Sequence, residues 1–434
     1  MLDAVAYHKY FKVQSISQIS NGGEVEDIGL RFMSVVGLLF MVLVGFIFSA
    51  NRKAINWRTV ISGVLLQVVL GLLILKLPFG KEIFNFAREL FTGILNYTNE
   101  GSKFVFGGLT DVQKVGFVFA TMVLPTIIFM SSLMSVLYHL GLMQIIINFV
   151  SKLMVKVMGT SGAESLSCAA NIFVGQTEAP LVVKPYIDKM TKSELLAMMT
   201  GGMATVAGGV LAAYVGFGID AGHLLAASVM AAPAALVLAK LFMPETEESQ
   251  TKGYVKLKVE KTHSNLIEAA AAGAAEGLQL ALNVGAMLLA FIALIALVNG
   301  MLGWATGLVG LENITLERLS GWLFAPVAFI IGIPWEDCVN FGTLLGKKII
   351  VNEFVAYLDL KTMMEAKSMS PRAITMATYA LCGFANFSSI AIQVGGIGTI
   401  APSRRADLAK LGLKCLAGGM MAGLMTASIA GIFI

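Results

Sequence analysis

"ANIFVGQTEAPLV", Ala170 to Val182, decides how the rest of the chain is read. Apolar residues flank it on both sides, as in a membrane segment, yet its middle holds Gln176, Thr177 and Glu178 between Gly175 and Pro180. From Gly162 to Gly175 is about fourteen residues, roughly 21 Å of helix, too short to cross a hydrocarbon core of about 30 Å. The segment is expected to enter the membrane and turn back. Such a re-entrant hairpin leaves backbone groups unpaired at mid-membrane, which is tolerated only where protein or a water-filled cavity satisfies them, and half-helix ends there can hold ions and polar substrates. Glu178 falls at the tip. An intramembrane carboxylate costs at least about 2.5 kcal/mol on insertion scales, so it is usually paired or functional.

Composition supports the membrane setting. The 434 residues are 57% hydrophobic and 13% charged, with mean hydropathy +0.79, whereas soluble domains carry about 25% charged residues. Phe32 to Ala50, Thr59 to Leu77, Val115 to Leu137, Leu224 to Met243 and Leu278 to Val298 are each long enough to span the bilayer. Long continuous runs, rather than short alternating ones, indicate helices and not barrel strands, so the fold class is an all-α polytopic membrane protein. A formal charge of +4 is too small and scattered to point to nucleic acid. Residues 1–31 read as an amino-terminal extension without a cleavable signal, and 32–434 as one membrane domain in the lipid bilayer. Cys168, Cys338, Cys382 and Cys415 lie far apart in apolar surroundings and match no metal-ligand spacing, so they read as free packed thiols.

Basic residues orient the chain. Arg52, Lys53 and Arg58, then Lys252, Lys256, Lys258 and Lys261, then Arg404, Arg405, Lys410 and Lys414 mark cytoplasmic loops. The connection from Gly216 to His223, without Lys or Arg, faces outward, and the amino terminus is external. Lys361, Lys367 and Arg372 fall outside on this scheme, so the charge rule is obeyed in part.

The second half repeats the opening pattern. "GKKIIVNEFVAY", Gly346 to Tyr357, again puts an amide and a carboxylate, Asn352 and Glu353, inside an apolar stretch reached from Pro334 by too few residues to have crossed. After each hairpin comes a span with a small polar interruption: "GGMATVAGGV", Gly201 to Val210, and "CGFANFSSIAI", Cys382 to Ile392. Paired interruptions in two halves point to an inverted-repeat secondary transporter with its site at the midplane. The repeat is one of pattern, not of residue identity. The hairpins and broken helices, 161–216 and 334–400, are expected to move as one transport unit against scaffold helices that include the segment Trp322 to Ile331.

"NIFVGQTEAPLV", the run Gly346, Lys348 and Asn352 to Tyr357, and "CGFANFSSIAI" together resemble the signature segments of the concentrative nucleoside transporter family, from about Phe32 to the carboxyl end. The resemblance implies eight transmembrane helices, two re-entrant hairpins, interfacial helices, a homotrimer in the inner membrane, and nucleoside uptake driven by a sodium or proton gradient. Carried over by position, it implies that Gln176, Thr177 and Glu178 contact the nucleobase, with Val210 and Phe384 beside it. Glu353, Asn386 and Ser389 then hold the ribose of a uridine-like nucleoside. It further implies sodium as the coupling ion, held by side-chain oxygens of Asn171 and Thr205 and backbone carbonyls of Val174 and Val206. A neutral nucleoside suits such a site, since its hydroxyl donors match a carboxylate and its flat ring matches an amide beside an apolar wall.

Other polar residues in the spans have plainer readings. Gln67, Gln279, Asn283 and Gln393 read as interhelical hydrogen-bonding groups, His139 and His223 as interfacial residues, Glu164 and Glu336 as charges at helix amino termini, and Lys348 as a side chain snorkelling to an interface. An intramembrane enzyme would need a nucleophile with a base or clustered metal ligands, and no GxSxG, HExxH or Asp-rich cluster lies in the spans. A channel would need polar rings along a pore, whereas the polar residues here concentrate at one depth. A proton-coupled symporter, leaning on Glu178, stays as the alternative to sodium.

Overall fold

The computed structural model describes residues 23–116, 118–253, 263–308, 310 and 314–434. Residues 1–22 of the expected extension, and Lys256, Lys258 and Lys261 of the orienting loop, lie outside the described residues. Every regular element among those described is helical, as the long apolar runs require.

The chain opens with α1, Gly23–Ile47, so helix begins before Phe32. α2, Trp57–Leu75, follows, and then α3, Pro78–Phe106, a helix of 29 residues with Phe79, Phe86, Tyr97 and Phe104 exposed along it. α4, Leu124–His139, completes the span Phe119–His139. α5, Leu142–Met158, lies between two left-handed glycines, Gly141 and Gly159, that end α4 and α5 without steric cost.

The first hairpin is α6, Gly162–Asn171, a tip at 172–178, and a return through two short turns, Ala179–Val183 and Lys184–Ile187. A broken span follows: α7, Lys192–Ala204, an interruption at 205–207, and α8, Gly208–Gly216. α9, Ala221–Phe242, runs back unbroken. α10, Leu266–Gly307, has 42 residues, about 63 Å at the helical rise and twice the hydrocarbon thickness. The expected span Leu278 to Val298 is its middle.

The second half then repeats the first, element by element. α11, Leu316–Ile330, corresponds to α5; α12, Cys338–Ile350, and α13, Glu353–Glu365, form the second hairpin; α14, Pro371–Leu381, and α15, Phe387–Ile400, form the second broken span; α16, Arg405–Phe433, closes the chain. Among the described residues, seven helical segments, one of them the broken span α7 and α8, are long and apolar enough to cross a membrane. The broken pair α14 and α15 makes the eighth crossing, and the chain is a multi-pass membrane protein.

α9 and α16 pack on each other at the centre, with α2 against α9 and α1 against α16, while α10 packs along α4. The central helices are nearly fully buried, whereas only 11% of the apolar window of α10 is covered. Trp322 to Ile331, expected in the scaffold, is the last part of α11 with its capping residue, and α11 packs along α12 of the second hairpin just as α5 packs along α6. Gly321 of α11 and Gly342 of α12 let these backbones meet: a Cβ on Gly342 would stand 2.5 Å from the Gly321 carbonyl oxygen. Lys347 ties the same group together, pairing with Glu317 of α11 at 3.5 Å and with Asp359 of α13.

The roots of the hairpins are polar and buried. Ser161 and Glu164 form a capping box at the start of α6, as the amino-terminal reading of Glu164 anticipates, and Lys240 of α9 lies 2.7 Å from the same carboxylate. Thr191 and Glu194 form a second capping box on α7, and Glu194 accepts from Ser249 and Thr251 of the following loop. At the second root, Glu336 is exposed, and the acid that works there is Asp337, which accepts from the Ser370 amide at 3.1 Å and from its hydroxyl at 2.5 Å. Arg372, one of the residues that breaks the loop-charge rule, donates to the carbonyls of Gly332, Gly431 and Ile434 and to the Ser34 hydroxyl. Its position answers to these bonds and not to membrane orientation.

Candidate functional site

The two helix interruptions meet at the centre of the molecule. The Phe384 amide donates to the Thr205 carbonyl at 3.3 Å, and the Gly208 amide to the Phe173 carbonyl at 3.0 Å, so backbone groups freed by one break are taken up by another segment. Gly383, at φ +148°, permits this approach: a Cβ there would stand 2.8 Å from the carbonyl oxygens of Met203 and Ala204.

Beside this junction lies a cavity of about 1140 Å³. All eight residues expected at the substrate, Gln176, Thr177, Glu178, Val210, Glu353, Phe384, Asn386 and Ser389, line it. Gln176, Thr177 and Glu178 come from the first tip, Val210 from α8, Glu353 from the start of α13, and the other three from the second break and α15. The carboxylate of Glu178 is exposed to the cavity, and a side chain at Gly175 would strike its Oε2. Thr177 packs its methyl group over Gly396 of α15.

The second half builds its part from helix caps. Asn352 is the amino-terminal cap of α13, accepting from the Val355 amide at 2.9 Å, and Asn386 caps α15, accepting from the Ser389 amide at 2.9 Å. These caps start helices where a continuous span would not. They also aim Glu353: its Oε2 accepts from Asn386 Nδ2 at 3.1 Å and its Oε1 from the Tyr214 hydroxyl at 2.9 Å. Tyr214 stacks on Tyr357 with ring centroids 4.2 Å apart, which fixes the donor. Across the cavity, Gln176 Nε2 donates to the Ser389 hydroxyl at 3.0 Å, linking the first hairpin to the second broken helix.

Of the four residues expected at the cation, Val174 lines the cavity and the other three sit deeper. Asn171, Thr205 and Val206 are at most 1% exposed. Asn171 ends α6, and neither its Oδ1 nor its Nδ2 has a hydrogen-bond partner. Its amide nitrogen lies 3.4 Å from the Cβ position of Gly201, one turn before the break in α7. A buried unpaired amide oxygen beside two interrupted helices is a hard-oxygen environment of the kind sodium takes. The Thr205 hydroxyl donates to the Gly201 carbonyl at 3.0 Å, which leaves its lone pairs available. The donor set fits a sodium ion.

Comparison with known proteins now decides the family. Residues 36–109 match the model described as Na+ dependent nucleoside transporter N-terminus, 120–221 match Nucleoside recognition, and 223–431 match Na+ dependent nucleoside transporter C-terminus. The nucleoside permease NupC of Helicobacter pylori is 44% identical over 409 residues, which cover 92% of this chain and 97% of that protein. The chain belongs to the concentrative nucleoside transporter family. An uncharacterized transporter of Haemophilus influenzae is 50% identical over 393 residues, covering 89% of this chain and 94% of the relative. Among solved structures, CNTnw in an inward-facing substrate-bound state is 46% identical, with a TM-score of 0.89, covering 93% of this chain and 98% of that one. As a member of this transporter family, the protein is not an enzyme.

Several plainer readings of this transporter's polar residues are corrected by the structure. Gln393 bears out its interhelical reading: wholly buried on α15, its Nε2 donates to the Met199 carbonyl of α7 and to Gln176 Oε1 of the first tip, both at 3.0 Å. Through Gln176 it reaches the cavity. Gln67 donates to Gly63 of its own helix, and Gln279 to Asn283 on α10, so neither bond is interhelical. A polar residue in a span reveals its presence by sequence but not the face it occupies. His139 lines the cavity, and the His223 ring is 3.1 Å from the Tyr379 hydroxyl. Lys348 does not snorkel: it is 0% exposed and donates to the Ala380 carbonyl at 2.8 Å, because α12 carries it into the protein interior and away from either interface. Tyr214 was not singled out by sequence; its one signal is its place four residues after Val210, on the same helical face.

Proposed function

We propose that this protein is a secondary active symporter that imports nucleosides on a sodium gradient by alternating access. The observation that carries the reading is the meeting of all eight motif residues on one cavity with an unpaired, buried Asn171 beside it. Gln176, Thr177 and Glu178 contact the nucleobase of a uridine-like nucleoside, with Val210 and Phe384 against its ring. Glu353, Asn386 and Ser389 take the ribose hydroxyls. The prebuilt hydrogen bonds to Glu353 leave its two oxygens further lone pairs, which suits recognition of hydroxyl donors.

Sodium sits on Asn171, Thr205 and the carbonyls of Val174 and Val206, between the first tip and the first break. An ion there braces the tip that carries Gln176, so ion and nucleoside each favour binding of the other by the same factor. The transport unit is 161–216 and 334–400, and the scaffold includes the segment Trp322 to Ile331 together with α3, α4 and α10. The exposed apolar faces of α3 and α10 suit a homotrimer in the inner membrane.

Uptake of labelled uridine into proteoliposomes tests the coupling. An inward sodium gradient should drive accumulation above equilibrium. Uptake indifferent to sodium but driven by an imposed pH gradient would overturn the assignment and move coupling to Glu178, whose carboxylate is open to the cavity. For the substrate contacts, Glu353→Gln should leave a folded protein with uridine binding reduced more than about tenfold, or about 1.4 kcal/mol. Near wild-type affinity would remove Glu353 from the ribose site.

A further inference from the structure

Lys348 is a buried cation with no part in the substrate site just described. Its ammonium donates to the Ala380 carbonyl, in the last turn of α14, and it lies within electrostatic reach of Glu353. The hydroxyl of Tyr357, from the other arm of the same hairpin, donates to the Thr378 carbonyl at 2.7 Å. Both arms of the second hairpin thus grip the carbonyl end of α14. On the third side, Gly423 of α16 supplies the space: a Cβ there would stand 2.8 Å from the Ala380 carbonyl oxygen that the ammonium meets.

The corresponding place in the first half is built from the same parts with the cation left out. α6, the entering arm, ends at Asn171; α7, the first segment of the broken span, ends at Ala204. Between them the Asn171 amide is buried and unpaired, and among the described residues no lysine or arginine is hydrogen-bonded to the end of α7. A helix carboxyl end carries partial negative charge and favours a cation, so each broken span presents the same electrostatic demand at its break. The first half meets it with oxygen ligands, and the second with an amine on a four-carbon stem.

We propose that the Lys348 ammonium is a tethered counterpart of the coupling cation. It occupies, between hairpin arm and broken-helix end, the place in the second half that sodium takes in the first. This rests on the sodium reading of the first half. The second half therefore needs no ion and adds none to the transport stoichiometry. Lys348 is a positioning residue, acting on the nucleoside through Glu353 and the fixed end of α14.

Uridine binding to purified protein in nanodiscs, measured by calorimetry against sodium concentration, tests this. Wild type should show a sodium dependence with a Hill coefficient near one. Lys348→Ala should bind uridine at least about thirtyfold more weakly, about 2 kcal/mol. Methylammonium or ethylammonium should restore most of that loss, whereas tetramethylammonium, too bulky and without N–H donors, should not. Lys348→Met keeps the volume without the charge and should bind as weakly as Lys348→Ala. Binding by Lys348→Met within about threefold of wild type, or a folded Lys348→Ala that small ammonium ions leave unchanged, would overturn the proposal by showing that the side chain only packs. Should Lys348→Ala fail to fold, the Lys348→Met comparison decides. Ammonium rescue is read without sodium, so a wild-type protein indifferent to sodium would sink the sodium site separately from Lys348.

Discussion

In the second half, Asn352 and Asn386 cap the helices that begin at the site, and two donors hold both oxygens of Glu353. In the first half, Glu178 and Ala207 precede their helices with no side-chain cap, and Asn171 keeps both amide atoms unpaired. The two regions share a plan of arm, tip and broken span. They differ in how far the chain supplies its own partners. An unpaired buried polar group costs about 1 to 3 kcal/mol, so a fold that keeps one beside a fully partnered equivalent has reason to. The finished half, in which Gln393 Oε1 is the one buried amide atom left unpaired among the described residues, is on our proposal the fixed surface for substrate. On the same proposal the unfinished half is completed when the ion binds, which is the property a coupled transporter needs in one of its two halves.

The comparison can be broken first at the hairpin roots, where the largest effect is expected. The first root buries an ion pair, Lys240 with Glu164, at 8% and 1% side-chain exposure. The second relies on hydrogen bonds from Ser370 to Asp337. Removing one partner of a buried pair strands the other, so Lys240→Met should destabilise the folded protein by about 3 to 5 kcal/mol. Asp337→Asn keeps an acceptor for Ser370 and should cost about 1 to 2 kcal/mol. Denaturation of both variants in one detergent gives the order directly. A larger loss for Asp337→Asn would mean that the second root, not the first, anchors its hairpin.

A smaller effect is expected at Tyr214, the donor that the first half lends to the second. Tyr214→Phe keeps the stack on Tyr357 and removes one hydrogen bond from a buried carboxylate, a loss of about 1.5 to 3 kcal/mol. If that loss falls on the bound state, uridine affinity drops about tenfold or more while half-saturating sodium stays put. A shift in sodium dependence instead would show that Glu353 is not the finished, ion-independent element described above.

Much of this was legible in the sequence because membrane physics is coarse. Run lengths located the spans, and the too-short approach to Gln176 and to Asn352 located both hairpins, since neither could have crossed. The motif residues then met on one cavity. What escaped notice was facing and extent. Gln393 and Gln67 look alike as single amides in apolar runs, yet one bridges Gln176 to Met199 and the other bonds within its own turn. Hydropathy could not show that α10 runs 42 residues, nor that α11 packs along the second hairpin, because both depend on which neighbours the helix meets. Lys348 was misread for the same reason: a lysine two residues before a helix end can reach an interface or a carbonyl, and only packing selects between them.

The smallest effect on substrate affinity, and the sharpest on its ion dependence, belongs to Asn171. Its amide is 0% exposed, and its Oδ1 has no partner within the chain. If sodium is that partner, Asn171→Ala deletes one ligand while leaving the Thr205 hydroxyl and the two carbonyls in place. The variant should need several-fold more sodium for half-saturation. At saturating sodium the remaining ligands still brace the first tip, so uridine affinity should return to within about threefold of wild type, below about 0.7 kcal/mol. By reciprocity the shift in sodium affinity should be the same whether read from ion binding at saturating uridine or from the uridine series. An unchanged sodium curve would show that the unpaired amide is a packing defect and not a ligand. The contrast between a finished and an unfinished half would then lose its functional meaning, whatever Glu353 and Tyr214 do.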